Sequence, residues 1–396
     1  MSDSKIKIKQ NQRSDREELE KFDSPGGNKV KIRQIHKSDQ EELEKFVSLE
    51  RELLGEYSNF VPRIDDNVIY QLSGESPFFS EMDHTMFIAS DGSEDVARCA
   101  ALINHKYQKA KNEAVGFIGY FAAAPDKGPL VKKMFEQAEA WLKERGVKRI
   151  IAPYDGSYFI GMTIRTAAFD EKPIFPMMWH PPYYKDYMTE AGYQPSYPFW
   201  SFRVDFSSEN FRATVQQVKE NNTAQVRPLK KDNWEEELEI RRQIINEAFK
   251  DEWEHHPLSR EEILDFFNPL KEFIDPKQML IAEIDGKPVG MCLGFPDLNG
   301  LWKKFNGRID DVEEIRRAFN NYSRAGLIVI AVIPEAQGKG VGKSLATTLF
   351  QRYQEQGLNE AAYHVVNEVN EKSRNFAESL CCEGRKLFHC YDKIIA

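Results

Sequence analysis

The stretch Gln337-Gly-Lys-Gly-Val-Gly-Lys-Ser-Leu345 lies between two segments of opposite character. Before it runs Gly326-Leu-Ile-Val-Ile-Ala-Val-Ile-Pro334, which is apolar, β-branched and stopped by proline, and so reads as a buried strand. After it, Leu345, Leu349 and Tyr353 recur at i, i+4 and i+8, the spacing of an amphipathic helix. Gly338, Gly340 and Gly342 remove Cβ atoms where a backbone must curl and approach a ligand closely. The first amides of the helix and its dipole then face an anion, and a phosphate suits them best.

Two phosphate-binding patterns compete for these residues. A P-loop, GxxxxGK[ST], would need glycine at 337, where Gln337 stands. About fifty residues follow, too few for the strands that would carry a magnesium-binding Asp and a nucleotide pocket. The pattern [QR]xxGx[GA] is met by Gln337, Gly340 and Gly342, with Val332-Ile-Pro-Glu335 before it. In this the chain resembles motif A of the GNAT N-acetyltransferase superfamily. The resemblance implies that backbone amides across Gln337, Gly338, Lys339, Gly340, Val341, Gly342, Lys343 and Ser344 hold the pyrophosphate of acetyl-CoA, the cosubstrate, with no metal.

The totals fit such a protein. With 396 residues the chain has length for two or three cores, and 30% charged with 41% hydrophobic residues is a globular balance. A net charge of −9 argues against nucleic acid or an anionic membrane as the main partner. Five cysteines give no disulfide framework, and no apolar leader or membrane-length run is visible, so the cytoplasm is the expected compartment.

Lys5 to Phe22 repeats at Lys29 to Phe46, with 12 of 18 positions identical. Each copy predicts a short strand and then a helix capped by Ser14 or Ser38. Only the second continues into a full helix, so residues 1–28 are expected to be a mobile arm, or an added edge strand. Beyond it, strands are predicted at Thr85–Ser90, Val96–Ile103, Glu113–Ala122 and Val147–Pro153, with a helix over Pro129–Arg145. From Ala224 the order begins again: a strand, helices from Asp232 to about Lys250 and over Arg260–Ile274, and a hairpin around Asp285-Gly286. An insertion over 297–325 precedes the strand and glycine turn, and a strand, a helix and a last strand follow. This is the GNAT order, and it implies an α/β (α+β mixed-sheet) fold with two tandem GNAT-like acyl-CoA N-acyltransferase domains. The units would be 29–206 and 224–396, joined by a polar linker over 207–223. Ala152-Pro-Tyr-Asp155, Ala168-Phe-Asp170 and His180-Pro-Pro-Tyr-Tyr184 resemble bacterial tandem members. The first unit reads Tyr120-Phe-Ala-Ala-Ala-Pro-Asp-Lys-Gly-Pro-Leu130 where motif A belongs, so it is expected to be a degenerate partner walling the acceptor site.

The family resemblance further implies that the motif A strand parts from its neighbour and frees amides near Ile330 to Ile333, with Val332 and Ile333 touching the pantetheine arm and Asn370 beside it. The family's tyrosine acid is matched by Ala377, so either another group, Tyr363 or Tyr391, protonates the leaving thiolate or the thiolate leaves with the help of water. Glu335 and Glu368 are candidate bases; His364 could face core or cleft. Asp251-Glu-Trp-Glu-His-His256 could hold a cationic acceptor, against a solvated helix end. Cys381, Cys382, His389 and Cys390 lack the CxxC spacing of common zinc sites, so no metal is expected. The expected activity is acetyl transfer to a primary amine of a small molecule or peptide in a ternary complex, with a homodimer admitted. The alternative is a non-catalytic acyl-CoA-binding or sensing protein.

Overall fold

The computed structural model describes residues 18–23, 29–221, 224–380 and 383–395. Its first strands are β1 (Glu18–Asp23) and β2 (Lys29–Ile35), antiparallel to each other. The pentapeptide Glu-Leu-Glu-Lys-Phe is a strand at 18–22 and part of a helix at 42–46. The helix predicted for the first copy is therefore absent at Glu18–Asp23; these residues form the edge strand. In the second copy α1 (Gln40–Leu54) is capped by Asp39, whose side chain accepts from the Glu42 amide at 3.3 Å. Ser38, the predicted cap, instead pairs with the His36 ring.

The first unit continues with α2 (Asp65–Leu72), β3 (Met82–Asp91), β4 (Glu94–Asn104), α3 (His105–Lys111), β5 (Val115–Ala123), α4 (Gly128–Glu144), β6 (Arg149–Ala152), β7 (Ile164–Arg165), α5 (Tyr184–Glu190) and β8 (Gln194–Asp205). The stretch 207–223, read as a polar linker, carries α6 (Glu209–Asn221), which buries Phe211 and Thr214. Phe211 is its apolar anchor, and one turn on the Thr214 hydroxyl donates to the Ser379 carbonyl at 3.3 Å.

The second unit repeats the order: β9 (Gln225–Pro228), α7 (Trp234–Ala248), α8 (Arg260–Phe267), β10 (Met279–Ile284) and β11 (Lys287–Pro296). The insertion holds two short helices, α9 (Asn299–Phe305) and α10 (Val312–Asn320). Then come β12 (Ala325–Val332), α11 (Val341–Glu355), β13 (Glu360–Asn367), α12 (Glu371–Leu380) and β14 (Glu383–Ile394).

All the described strands but β7 join one path, β1-β2-β3-β4-β5-β6-β14-β8-β13-β12-β11-β10-β9, with β7 pairing β14 at the side. The last strand of each unit is exchanged. β14 pairs β6 of the first unit, β8 pairs β13 of the second, and the two pair each other antiparallel. The boundary read between 206 and 224 thus divides the chain but not the sheet.

Helices cover both sheet faces, as mixed sheets with apolar strands require. In the second unit Leu280, Cys292 and Ala282 pack with Leu345 and Leu349 of α11. Alternate residues Met279 and Leu293 pack on the other face with Leu238 of α7 and Ile263 of α8. The glycine turn and the α7–α8 loop therefore lie on opposite faces, so a ligand touching both must pass through the sheet.

Candidate active site

β12 and β13 run parallel but are paired only at Gly326 with Ala362 and Leu327 with Tyr363. Beyond that point they part. β12 follows β11, with a bulge opposite Leu293 and Gly294, while β13 follows β8 with a bulge between Tyr363 and Val366. Inside that second bulge Val365 has φ 59°, a left-handed conformation that β-branched residues rarely adopt. Backbone strain of this kind collects at functional clefts.

The parting leaves a central strand incompletely covered. Ile328, Val329, Ile330 and Val332 are all partly exposed, although β12 has a helix on either side. The Ile333 amide donates to the Val289 carbonyl at 3.0 Å, so it is already occupied by β11. Antiparallel alternation turns the Val332 and Ile330 amides the other way, toward the gap. Of the two residues expected to touch the pantetheine arm, Val332 presents its amide there and Ile333 does not.

The glycine turn closes one end of the gap. Gly338 and Gly340 have φ of 78° and 80°, and no atom beyond the adjoining backbone lies within 4 Å of where their Cβ atoms would be. Glycine is needed there for the backbone, and the open space is what an incoming anion would use. Gly340 is the N-cap of α11, and the first helical bond runs from the Ser344 amide to the Gly340 carbonyl at 2.9 Å. The amides of Val341, Gly342 and Lys343 precede that bond and have no acceptor within the helix. Lys339 and Lys343 are exposed at the same turn. Gln337 folds back, its amide donating to the Val332 carbonyl at 3.2 Å, and Lys372 donates to its Oε1 at 3.1 Å. The set fits a diphosphate.

A cavity of about 110 Å³ fills the gap, lined by Ile328, Val329, Ile330, Asn367, Asn370 and Ser373 among others. Asn370 Oδ1 caps the Ser373 amide at 3.0 Å. The Tyr363 hydroxyl meets Ser373 Oγ at 2.6 Å, which puts a phenol one helical turn from Ala377. Burial raises the Tyr363 phenol to about 12, so it stays protonated.

On the far face Glu252, Glu254 and His255 line the same cavity. Burial raises the Glu254 carboxyl to about 7. Its loop is clamped by the first unit. Tyr154 Oη donates to the Glu254 carbonyl at 2.7 Å, Tyr107 Oη donates to the Trp253 carbonyl at 2.5 Å, and Trp253 stacks on Tyr197 at 3.9 Å. His255 meets Tyr158 Oη and His256 meets Ser157 Oγ. The loop 251–256 is thus an interface and a cavity wall. Burial holds His255 and His364 at about 3, where both rings are neutral. His364 is among the residues lining the cavity, and its Nδ1 bonds Ser201.

The other predicted acids lie outside the cavity. Glu335 is exposed in the turn Pro334–Ala336. Glu368 accepts from Trp200 Nε1 at 2.6 Å and sits 3.6 Å from Arg374. Tyr391 is buried in β14 opposite Ala152 of β6. Cys390 is buried and His389 pairs with Thr166, while Cys381 and Cys382 lie outside the described residues. No described helix is long and apolar enough to cross a membrane.

The first unit repeats the parallel pair, β5 with β6 at Val115 to Phe117, and then plugs its own gap. Asp155 Oδ1 accepts from the Tyr120 amide at 2.6 Å, and the Tyr154 amide donates to the Ile118 carbonyl at 2.9 Å. At the N-terminus of α4 the Lys127 amide is taken by Tyr187 Oη, and the Glu190 carboxylate abuts Gly128. An acid at that turn repels phosphate.

Comparison with known proteins agrees with this geometry. The family model "Acetyltransferase (GNAT) family" matches residues 238–381. The chain is 23% identical over 331 residues to a protein of Caulobacter vibrioides named bacterial ceramide synthase, covering 81% of this chain and 86% of that one. It is 22% identical over 361 residues to Protein YghO of Escherichia coli, covering 88% and 92%. Among solved structures, a tandem GNAT protein from the clavulanic acid biosynthesis pathway aligns with a TM-score of 0.53 at 10% identity, over 93% of this chain and 99% of that one. A GCN5-related N-acetyltransferase from Sphaerobacter thermophilus aligns with a TM-score of 0.50 at 14% identity, over 92% and 96%.

Proposed function

We propose, for a chain with the tandem GNAT fold whose residues 238–381 belong to the acetyltransferase (GNAT) family, that the second unit moves an acyl group from a CoA thioester to a primary amine. The observation that carries this reading is the through-sheet gap between β12 and β13, with an open glycine cradle at one end and a carboxylate at the other. The relative named for ceramide synthesis supports an amine acceptor, since a ceramide is an amide.

Amide formation from a thioester needs a held thioester, a neutral amine, a donor to the developing oxyanion and a proton for the departing thiolate. The α11 amides with Lys339 and Lys343 would hold the diphosphate, and Asn370 would flank the arm. The Ile330 and Val332 amides, lacking a strand partner, would polarise the carbonyl. Glu254 is suited to take the proton from an incoming ammonium, because a base works best with a pKa near the working pH; the two neutral imidazoles, near 3, are too weak. Tyr363 would supply the proton to sulfur. A thiol leaving group of pKa about 8–9 makes this help modest in size. Glu335 and Glu368 have no role in this scheme.

The first unit serves as wall and clamp. Its plugged gap and its Glu190 support a single CoA site per chain. Calorimetry with CoA, followed by thiol release against a panel of amines, tests the reading. Saturable binding with turnover on some amine is expected; binding with no turnover on any amine would favour the sensing alternative, and Ala377 is the residue that keeps it in view.

A further inference from the structure

A second cavity, of about 110 Å³, adjoins the one in the gap, and Tyr158, Met162 and Val365 line both. Glu252 and Glu254 line the gap cavity only. Arg63, Asp155, Thr163 and His180 line the second only.

The polar groups of the second cavity are mostly unused donors. A guanidinium carries five N–H groups. Arg63 Nη1 donates to Asp155 Oδ2 at 2.7 Å. Its Nε is buried without a partner, since Glu50 stands 3.8 Å away and is held by Arg98 at 2.8 Å. Nη2 has no partner among the described residues. A Cβ on Gly161, which lines the cavity, would come 3.8 Å from that nitrogen, so the absent side chain leaves room beside it. A buried donor left unpaired is costly, which makes this guanidinium short of acceptors. Asp155 supplies no more, because its Oδ1 already takes the Tyr120 amide at 2.6 Å.

His180 adds a second donor. Its Nδ1 accepts from the Arg165 amide at 3.2 Å, so in the neutral ring the proton sits on Nε2. Burial, with Arg63 and Arg165 nearby, lowers its pKa to about 3. The two charges acting on that ring are thus both positive. Thr163 adds a third donor, a hydroxyl with no partner among the described residues. Its backbone is held at φ 73°, a conformation that β-branched residues rarely adopt and that collects at ligand sites.

We propose that the second cavity binds a carboxylate on the acceptor, so that the acceptor is an amino acid whose reacting amine stands at the far end of a short chain from its carboxylate. This rests on the N-acyltransferase reading, which puts the amine beside Glu254. A carboxylate offers about four lone-pair sites and can accept from Arg63, His180 and Thr163 together, whereas a hydroxyl offers two. The positive charges around His180 favour an anion over a neutral carbonyl. Because Arg63 and Glu254 line different cavities, a ligand reaching both must thread past Tyr158, Met162 and Val365. Nitrogen and carboxylate on a single carbon are too close together for that.

The test is calorimetric titration of the full chain, loaded with CoA, with ω-amino acids from 4-aminobutyrate to 8-aminooctanoate. Each is compared with the alkylamine and the alkanoate of the same carbon count. The best-fitting amino acid is expected to bind roughly 10- to 100-fold tighter than its alkylamine, the size of hydrogen bonds to a charged group. Arg63→Gln should erase that preference, and Arg63→Lys should restore part of it. Thr163→Gly loses the hydroxyl while relieving the backbone, and should cut the preference about two- to tenfold. Retained CoA binding reports that each variant is folded. Equal affinity for amino acid and alkylamine at every length, with CoA bound, would overturn the proposal and leave the N-acyltransferase reading standing. A preference that survives Arg63→Gln would do the same. If the alkanoate binds as tightly as the amino acid, the cavity takes an anion without the amine, and the acceptor assignment is wrong. Failure of CoA itself to bind would remove the N-acyltransferase reading and the proposal with it.

Discussion

Glu254 Oε2 lies 3.4 Å from Asn367 Nδ2, so a carboxylate from the α7–α8 loop meets the end of β13 across the gap in the sheet. The amide steadies the charged form, but burial outweighs it and the carboxyl sits near 7. Its ordinary value is about 4.3. The folded pKa is raised, so the native state binds a proton that the unfolded chain has lost between those values. Stability therefore falls as pH rises from about 4.5 to 7 through this group.

Glu254→Gln removes that cost and removes the base. Urea unfolding at pH 8 should show the variant more stable than the parent by roughly 1–3 kcal/mol. The rate with a saturating amine should drop by about 10²–10⁴ and lose its rising limb near pH 7. A structural role alone would move stability downward and leave the pH profile intact.

Gly340→Asp places a carboxylate in the cradle. Calorimetry should show CoA affinity reduced by at least about 100-fold, the size expected when a charged contact is replaced by repulsion. Gly340→Ala separates strain from charge. At φ 80° it should cost about 1–2 kcal/mol of folding stability and affect affinity less.

Tyr363→Phe leaves the ring packing and removes the proton donor. Thiol release should slow by about 10- to 100-fold, within the lower range of general-acid effects. Ser373→Ala, which loses only the partner of that hydroxyl, should have a smaller effect.

Removal of residues 383–396 tests the strand exchange. β14 stands between β6 and β8, so its loss strips pairing from both units at once. Circular dichroism should show no cooperative unfolding transition for the truncated chain. An intact second unit with a disordered first one would mean the halves are separable.

What the sequence revealed and what it concealed follow from how local each signal is. Gly338 and Gly340 were legible because their left-handed backbone is a property of single residues flanked by a strand and a helix. The repeated Glu-Leu-Glu-Lys-Phe could not be read correctly twice, because the same pentapeptide takes both conformations and pairing with β2 decides one of them. The exchange of β8 and β14 left no trace in patterning, since the strands they pair with across the units lie more than 150 residues away. Glu254 was one acid in an acidic loop. Its burial is created by Tyr154, Tyr107 and Tyr197 of the other unit, and no spacing rule joins those positions. Glu368 looked closer to the cleft than it is because its partner Trp200 sits on an exchanged strand.

Single-site stoichiometry is a further consequence. Asp155 and Glu190 occupy in the first unit the places that the gap and cradle leave open in the second. Titration with CoA should give one site per chain, and Glu190→Ala should not create another, because Asp155 still holds the Tyr120 amide.

The most direct measurement is a crystal structure of the full chain soaked with CoA. The diphosphate is expected against the amides of Gly340 to Lys343, with the pantetheine arm entering between β12 and β13 toward Glu254. Density for the nucleotide at the Gly128 turn of the first unit, or anywhere that leaves the 338–343 turn bare, would contradict it.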